Sequence, residues 1–566
     1  MGLGEVMANK SGFPEKPQAL EENIRYIWVE NRNDLQAMLL NILDIDPDQY
    51  PSFNSIRLSD TSYRILFDML KTKFPLTVVV EDYYVDRFYR DSYYLYYASK
   101  HIQYSRFCKR VFLFDGLIQS IFDIDESELE KMFMGTMVVR PLPLGKIGRS
   151  LFNPYFFADK KSYLRYATYE IVVVSKQLRI HAFPFSMQDG ETTTCAEITI
   201  LNLIDYFSRK YQDYNLALPS DLFERVDRLG YERCLPSRGL SFLEISRIFS
   251  ESGFFPRMYA VASFQSEYQF KRNMHYYIES GIPVALGIQW VNSKEKHAIT
   301  CIGHGKRSLD SKKITDIVRV FFNKNVERKN IPVWVIDTAD LYDEYIVMDD
   351  GDAPYIKYEW KKIEEAATHK SKMLVSKDNF TINAEPQNMM VPLSKRMFLE
   401  AEDAFDRFVD YLSRKDLGIK AKTGKNIGTS QNPLVLRMFL ASSRHFRQAR
   451  IKDLKSQHCP FDILYSSVLF PKFVWVCEVY SIESYYSKNP RVIAELVIDA
   501  TSSSRDINNV IITNYGNTMR ISNSIGSNYH SQNGRYLFNY YYNTDKPMTL
   551  SPYTHNLHQP SNVYKC

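Results

Sequence analysis

Residues 188–211 read QDGETTTCAEITILNLIDYFSRKY, and they set one cysteine at the point where a helix should begin. Ile200, Leu203, Ile204, Phe207 and Tyr211 recur at three- and four-residue steps, the apolar stripe of an amphipathic helix. Thr194 and Glu197 make a T-x-x-E capping box, in which each side chain satisfies a backbone N–H left free at the helix start. Cys195 therefore falls in the first turn. There the free N–H groups and the positive end of the helix dipole favour an anion, which suits a nucleophilic thiolate. Gln188, on the Gly-containing loop just upstream, could join the Cys195 backbone N–H in holding the oxyanion of a tetrahedral intermediate. Without partners, the same pattern describes a buried structural cysteine that follows a cap.

Candidate partners lie downstream in a definite order. Gly281 and Pro283 introduce an apolar strand expected over Val284–Trp290. A polar turn, NSKEK, leads to His297 at the head of a second strand, HAITCIGHG. A third strand, Tyr345–Met348, ends at Asp349, Asp350 and Gly351. Before them come β-rich runs at Ile171–Val174 and Leu178–Phe183. Helices are expected at Phe242–Ser252, stopped by Gly253 and Pro256, and at Phe270–Ser280. Taken singly, a histidine at a strand start is an ordinary polar edge residue. A DDGD run is an ordinary turn with solvated carboxylates, or occasionally a loose cation site. His304, the other nearby histidine, follows Gly303 in the turn and is the weaker candidate.

A nucleophile at a helix start, a base at a strand start and an acid at the next strand's end is an order that resembles the papain-like cysteine peptidases. The likeness is nearest to the bacterial branch of bacteriocin-leader-processing (double-glycine) peptidases. Gln188, Cys195-Ala196, the helix–Gly–strand unit around Gly253, GIPVALGI, HAITCIGHG and YIVMDDGDAPY carry the resemblance, from Gln188 to Tyr355. It implies Cys195 as nucleophile, His297 as general base, Asp349 as the group orienting the imidazole, with Asp350 as second choice, and Gln188 as oxyanion donor. It also implies a protein or peptide substrate, an acyl-thioester intermediate, and no cofactor or metal. The alternatives are a thioester-based acyltransferase and an inactive papain-like scaffold that binds a regulatory partner through flanking domains.

Length and composition frame that expectation. At 566 residues and 45% hydrophobic content the chain can hold several cores. Lys+Arg 71 against Asp+Glu 66 leaves a net charge of +5, too small to argue for nucleic acid. Seven singly scattered cysteines with no CxxC point to reduced thiols in a cytoplasm and away from structural zinc. The start, MGLGEVMANK, lacks a secretion signal's apolar core, Val6 stands where a myristoylation pattern prefers Ser or Thr, and no run is long enough to span a membrane.

The expected architecture is α+β in three parts. Residues 1–160 form an aromatic-rich α+β domain, 161–360 a papain-like domain with a Lys/Arg-rich insertion at 306–340, and 361–566 a second flanking α+β domain. In the first part a strand and helix are expected over Ile24–Leu43 and strands at Leu76–Val80 and Met134–Pro143. The Tyr-rich stretch after residue 80, read as helical, places Tyr83, Tyr94 and Tyr97 on one side and Tyr84 and Phe88 on another, a surface for packing or an interface. In the last part helices are expected at Met397–Leu412 and Leu434–Ile451, the latter carrying Arg437, Arg444, Arg447 and Arg450, a basic helix that binds phosphates or acidic partners or, more commonly, presents a solvated face. Strands are expected at Phe473–Tyr480 and Val492–Ala500.

Overall fold

Short runs rich in Val, Ile, Leu and aromatic residues, punctuated by Gly and Pro, form strands here, while the longer stripes at three- and four-residue spacing form helices. The result is an α+β arrangement with antiparallel pairing dominant. The computed structural model describes residues 23–565 except 51, 228–233, 292, 294, 308–316, 322–330, 366–367, 378–379, 415–418, 420–426, 460, 507–508, 527–534 and 544–547. The N-terminal lead, Gly2 and Val6 included, and Cys566 lie outside the described residues. Among the described residues, no helix is long and apolar enough to cross a membrane.

The chain divides into two compact units, one of residues Met1–Phe152 with Glu170–Ile180, the other of Asn153–Tyr169 with His181–Cys566. The first unit holds strands β1 (Ile24–Val29), β2 (Leu76–Tyr84), β3 (Cys108–Asp115), β4 (Phe133–Val139) and β5 (Ser150–Phe152), paired in that order. They are continued by the hairpin of β6 (Ala167–Val173) and β7 (Lys176–Phe185), whose residues 170–180 belong to this unit. Helices α1 (Arg32–Ile42) and α2 (Thr61–Leu70) bury Leu35, Leu39, Leu66 and Leu70. The Tyr-rich stretch differs from expectation, because β2 runs on through Tyr84 and the helix starts only at Arg87. Val78–Val80, buried in the middle of the sheet, keep the chain in the strand, whose register shifts between Glu81 and Tyr84, and Asp86 then caps the helix by accepting from the Tyr89 N–H at 2.7 Å.

In the second unit the longest helices are α3 (Cys195–Lys210), α4 (Phe242–Glu251), α5 (Glu267–Glu279), α6 (Ala401–Ser413) and α7 (Ser443–Ser456). Its strands follow the chain as β8 (Phe254–Ala260), β9 (Val284–Trp290), β10 (Lys296–His304), β11 (Arg319–Phe321), β12 (Val333–Asp337), β13 (Glu344–Met348), β14 (Ile356–Glu365), β15 (Thr368–Lys377), β16 (Phe380–Ser394), β17 (Leu434–Ser442), β18 (Phe473–Ser481), β19 (Ala494–Asp499), β20 (Val510–Asn514), β21 (Thr518–Gly526) and β22 (Arg535–Asn543). One sheet runs β9-β10-β13-β14-β15-β16-β8. A further pairing of β9 with β16 closes its first six strands on themselves, which removes their free edges. The other sheet runs β11-β12-β17-β18-β19-β20-β21-β22, with β12 and β17 parallel.

Two expected boundaries therefore move. The break at 360 falls inside β14, because β13 needs a partner on its outer edge and closure of the sheet needs the strands up to Ser394. The described parts of the 306–340 insertion supply β11 and β12 to the second sheet. The helix expected over Leu434–Ile451 is also corrected. Its first half, LVLRMFLAS, is a strand paired along its length with Phe473–Ser481, and only Ser443 onward is helical. A nine-residue apolar run does not by itself distinguish a buried strand from a buried helix. Consequently Arg437 and Arg450 are not on one solvated face; Arg450 is 1% exposed.

Gly303 in β10 is where the strand Tyr163–Leu164 pairs alongside. A Cβ there would collide with the Tyr163 carbonyl and lie 2.6 Å from the Leu164 Cα, both backbone atoms that cannot rotate away. Gly303→Ala is expected to destabilise the protein by about 1–3 kcal/mol, read as a lower urea midpoint, whereas Gly190→Ser, in open space, should cost less despite its positive φ.

Candidate active site

The cysteine helix α3 begins at Cys195 itself, with Thr194 as N-cap. Glu197 reaches back to the Thr194 N–H at 3.0 Å and is held from its other oxygen by the Ser237 hydroxyl at 2.5 Å. Upstream, Asp189 gathers the backbone N–H groups of Glu191, Thr192 and Thr193 at 2.9, 2.7 and 2.8 Å, and Gly190 turns at φ +75°. That turn fixes the path from Gln188 to the cysteine. Burial of Ile200, Leu203 and Ile204, each contributing about 1.5–3 kcal/mol, then seats the helix. The Thr199 hydroxyl reaches the Ala298 carbonyl of β10 at 3.3 Å.

That contact sets α3 beside His297, one residue along the same strand. The Cys195 thiol is close enough to the His297 ring to help raise its pKa. His297 Nε2 is 2.9 Å from Asp349 Oδ1 and 3.3 Å from Asp350 Oδ1. With Nε2 committed to the carboxylates, Nδ1 is the nitrogen left for the thiol. Asp349 is itself held. Its Oδ1 also accepts from the Gly351 N–H at 2.8 Å and its Oδ2 from the Tyr358 hydroxyl at 2.5 Å. Trp290, at the end of β9, stacks on the imidazole with ring centroids 5.9 Å apart and planes 27° apart.

Cys195, His297, Asp349 and Asp350, the residues singled out from the sequence, are thus brought together. Gln188 joins them through its backbone N–H, which faces the Asp350 carboxylate. His304 does not; its Nε2 lies 2.9 Å from Glu279, in a separate buried network. Tyr358 and Trp290 were not among the residues singled out. Trp290 stands at the end of a predicted strand seven residues before His297. Tyr358 carries no sequence signal that would have found it, because its role depends on which strand pairs next to β13.

The electrostatics follow from burial and from these contacts. Burial pulls the His297 pKa down, yet the hydrogen bond and charge of Asp349, the Cys195 contact and the charge of Asp350 together hold it well above its ordinary value. Burial pushes Asp350 up to about 7, with His297 and the Gln188 backbone N–H acting the other way and Asp349 adding to the rise. Because the folded His297 pKa is raised, the imidazolium's contribution to stability is complete below about 6.5 and is lost as pH rises through the higher folded value. Asp349→Ala removes the largest raising influence. The His297 ring should then titrate at lower pH, observable in its carbon-bound proton resonances, and that limb of the stability profile should move with it.

With a thiol, an imidazole and an orienting carboxylate in sequence, the arrangement can deprotonate a nucleophile and return the proton to a leaving group. The ligand atoms of His297, Asp349 and Asp350 also all lie within 4.8 Å of one another. No protein-family model matches this chain, and no curated protein matches it either.

Proposed function

We propose that this chain is a cysteine-dependent hydrolase of peptide or isopeptide bonds, a papain-like cysteine peptidase in its central part. The observation that carries the reading is the imidazole of His297, held by Asp349 at 2.9 Å and raised in pKa by the neighbouring Cys195 at the capped helix start. What further supports it is the position of each group: the thiol at a capped helix start, the histidine near the start of an antiparallel strand, the aspartate just past the end of the neighbouring one.

In this reaction the Cys195 sulfur attacks the scissile carbonyl while its proton passes to His297. The oxyanion is held by the Cys195 backbone N–H and the Gln188 amide. Collapse of the intermediate expels the amine, which takes the proton from His297, and leaves a thioester on Cys195. Water, deprotonated by the same imidazole, then releases the acid and regenerates the thiol. Asp349 keeps the ring oriented and supports its cationic form, and Tyr358 and the Gly351 N–H keep Asp349 in place.

The test is hydrolysis of a mixed peptide and isopeptide library by wild type and Cys195→Ala, read by mass spectrometry. Products that vanish in Cys195→Ala, with a thioester adduct on Cys195 in quenched wild-type reactions, are expected. Equal product formation by both proteins would overturn the reading.

A further inference from the structure

We propose that His297, Asp349 and Asp350 form a binding site for one Zn2+-type dication, whose occupancy disables the histidine. The site is built from the proposed catalytic histidine and its aspartate, so the inhibitory consequence rests on the hydrolase reading, although the binding itself does not.

Three donors, from one strand and from the loop after its neighbour, lie within 4.8 Å of one another. His297 Nε2 is 2.9 Å from Asp349 Oδ1 and 3.3 Å from Asp350 Oδ1. The carboxylates come from consecutive residues of the loop after β13, and both are buried, Asp349 at 1% and Asp350 at 5% exposure. Asp349 is fully used by His297, Gly351 and Tyr358. Asp350 is not. The backbone N–H groups of Gln188 and of Asp350 itself approach it, but neither of its carboxylate oxygens completes a hydrogen bond. Burying a carboxylate that completes no hydrogen bond is costly, and one set 3.3 Å from an imidazole nitrogen already bearing a second carboxylate offers a cation two oxygens and a nitrogen.

The donors select the kind of cation. Calcium takes six to eight oxygen ligands and magnesium prefers oxygen and water, whereas one imidazole nitrogen and two carboxylate oxygens suit Zn2+ and its transition-metal neighbours. Ligands about 2.0–2.2 Å from a tetrahedral ion stand about 3.3–3.5 Å from each other. The observed 3.3 Å meets that spacing, and the 2.9 Å separation needs to open by only a few tenths of an ångström. Water or a substrate oxygen would complete the coordination.

Binding to the imidazolium form exchanges its Nε2 proton for the metal. The proton leaves to solvent, the Nε2 lone pair goes to the cation, and the neutral ring keeps its remaining proton on Nδ1, the nitrogen left for Cys195. With its Nε2 pair fixed on the metal, the ring neither releases its Nδ1 proton readily to a leaving amine nor offers a lone pair to deprotonate the water that would free the acyl group. The metal therefore silences the site without touching the sulfur.

The experiment is calorimetric titration of Zn2+ into the full chain carrying Cys195→Ser, with Mg2+ as control and Cys195→Ser/Asp350→Asn as the comparison. Removing the thiol excludes direct zinc–thiolate binding at the site. One Zn2+ per chain on Cys195→Ser, no Mg2+ response, and at least tenfold weaker zinc binding once Asp350 is changed are expected. Cys195→Ser/Asp350→Ala replaces the asparagine variant if that one does not fold. Equal zinc binding with and without Asp350, or none by Cys195→Ser, overturns the proposal. Because Cys195 is absent throughout, these outcomes are independent of whether the wild-type thiol proves catalytic.

Discussion

His297→Ala is expected to lower turnover of any substrate cleaved by the wild type by about 10²–10⁴-fold, the usual contribution of a positioned general base. His297 is hydrogen-bonded to Asp349 and lies beside Cys195, so its loss removes the base and also disconnects the carboxylate. The loss should appear chiefly in kcat, because proton transfer contributes in the transition state and not to ground-state binding. Asp349→Asn should cost less, since the thiol–imidazole contact survives it, and a double variant should be little worse than His297→Ala alone. A His297→Ala protein with near wild-type turnover would mean that the catalytic base lies elsewhere.

Arg450→Met is expected to destabilise the second unit by about 3–5 kcal/mol, the cost of leaving a buried charge without its partner. Arg450 donates to Glu478 at 2.6 Å and to Glu495 at 2.7 Å, and all three are essentially inaccessible to water. Glu478 is shared with Arg437, which continues to Glu279 and so to His304. Burial would raise the Glu279 pKa, but Arg437 and His304 outweigh it and hold the carboxyl well below its ordinary value. The chain of charges links α5, at the core beside the closed sheet, to β17, β18 and β19. Truncating one cation leaves two buried carboxylates facing each other. Arg444→Met, on the exposed side of the same helix, should change stability by no more than about 0.5 kcal/mol. Urea unfolding followed by fluorescence separates them, and similar midpoints for the two variants would show that the network contributes little.

The contrast between these two arginines shows what can and cannot be read from the chain alone. Cys195, its cap and the apolar stripe behind it are local, and the helix begins at the residue expected. His297 and Asp349 were legible because a strand start and a strand end have sequence signals, although β11 and β12 intervene before the two strands pair. Arg437 and Arg450 were placed on one exposed face because LVLRMFLAS suits a strand or a helix equally well. What decides it is Phe473–Ser481, which pairs with it from some forty residues away. Tyr358 and the joining of β11 and β12 to the second sheet were illegible for the same reason. They depend on long-range register, not on any property of the segment itself.

The central claim is that Cys195 is a nucleophile served by His297. Its most direct test is the relative rate at which the cysteines of the folded protein react with a small, stoichiometric dose of iodoacetamide, mapped by mass spectrometry in wild type and His297→Ala. Cys108, Cys301 and Cys477 are buried, and burial raises their thiol pKa values, that of Cys301 to about 12, so they should label slowly. Cys234 and Cys459 are part-exposed like Cys195 and are the proper comparison. Cys195 labelling well ahead of both at pH 6–7, and falling back among them in His297→Ala, is the predicted result. Cys195 labelling no faster than Cys234 and Cys459, with no change when His297 is removed, would contradict the claim.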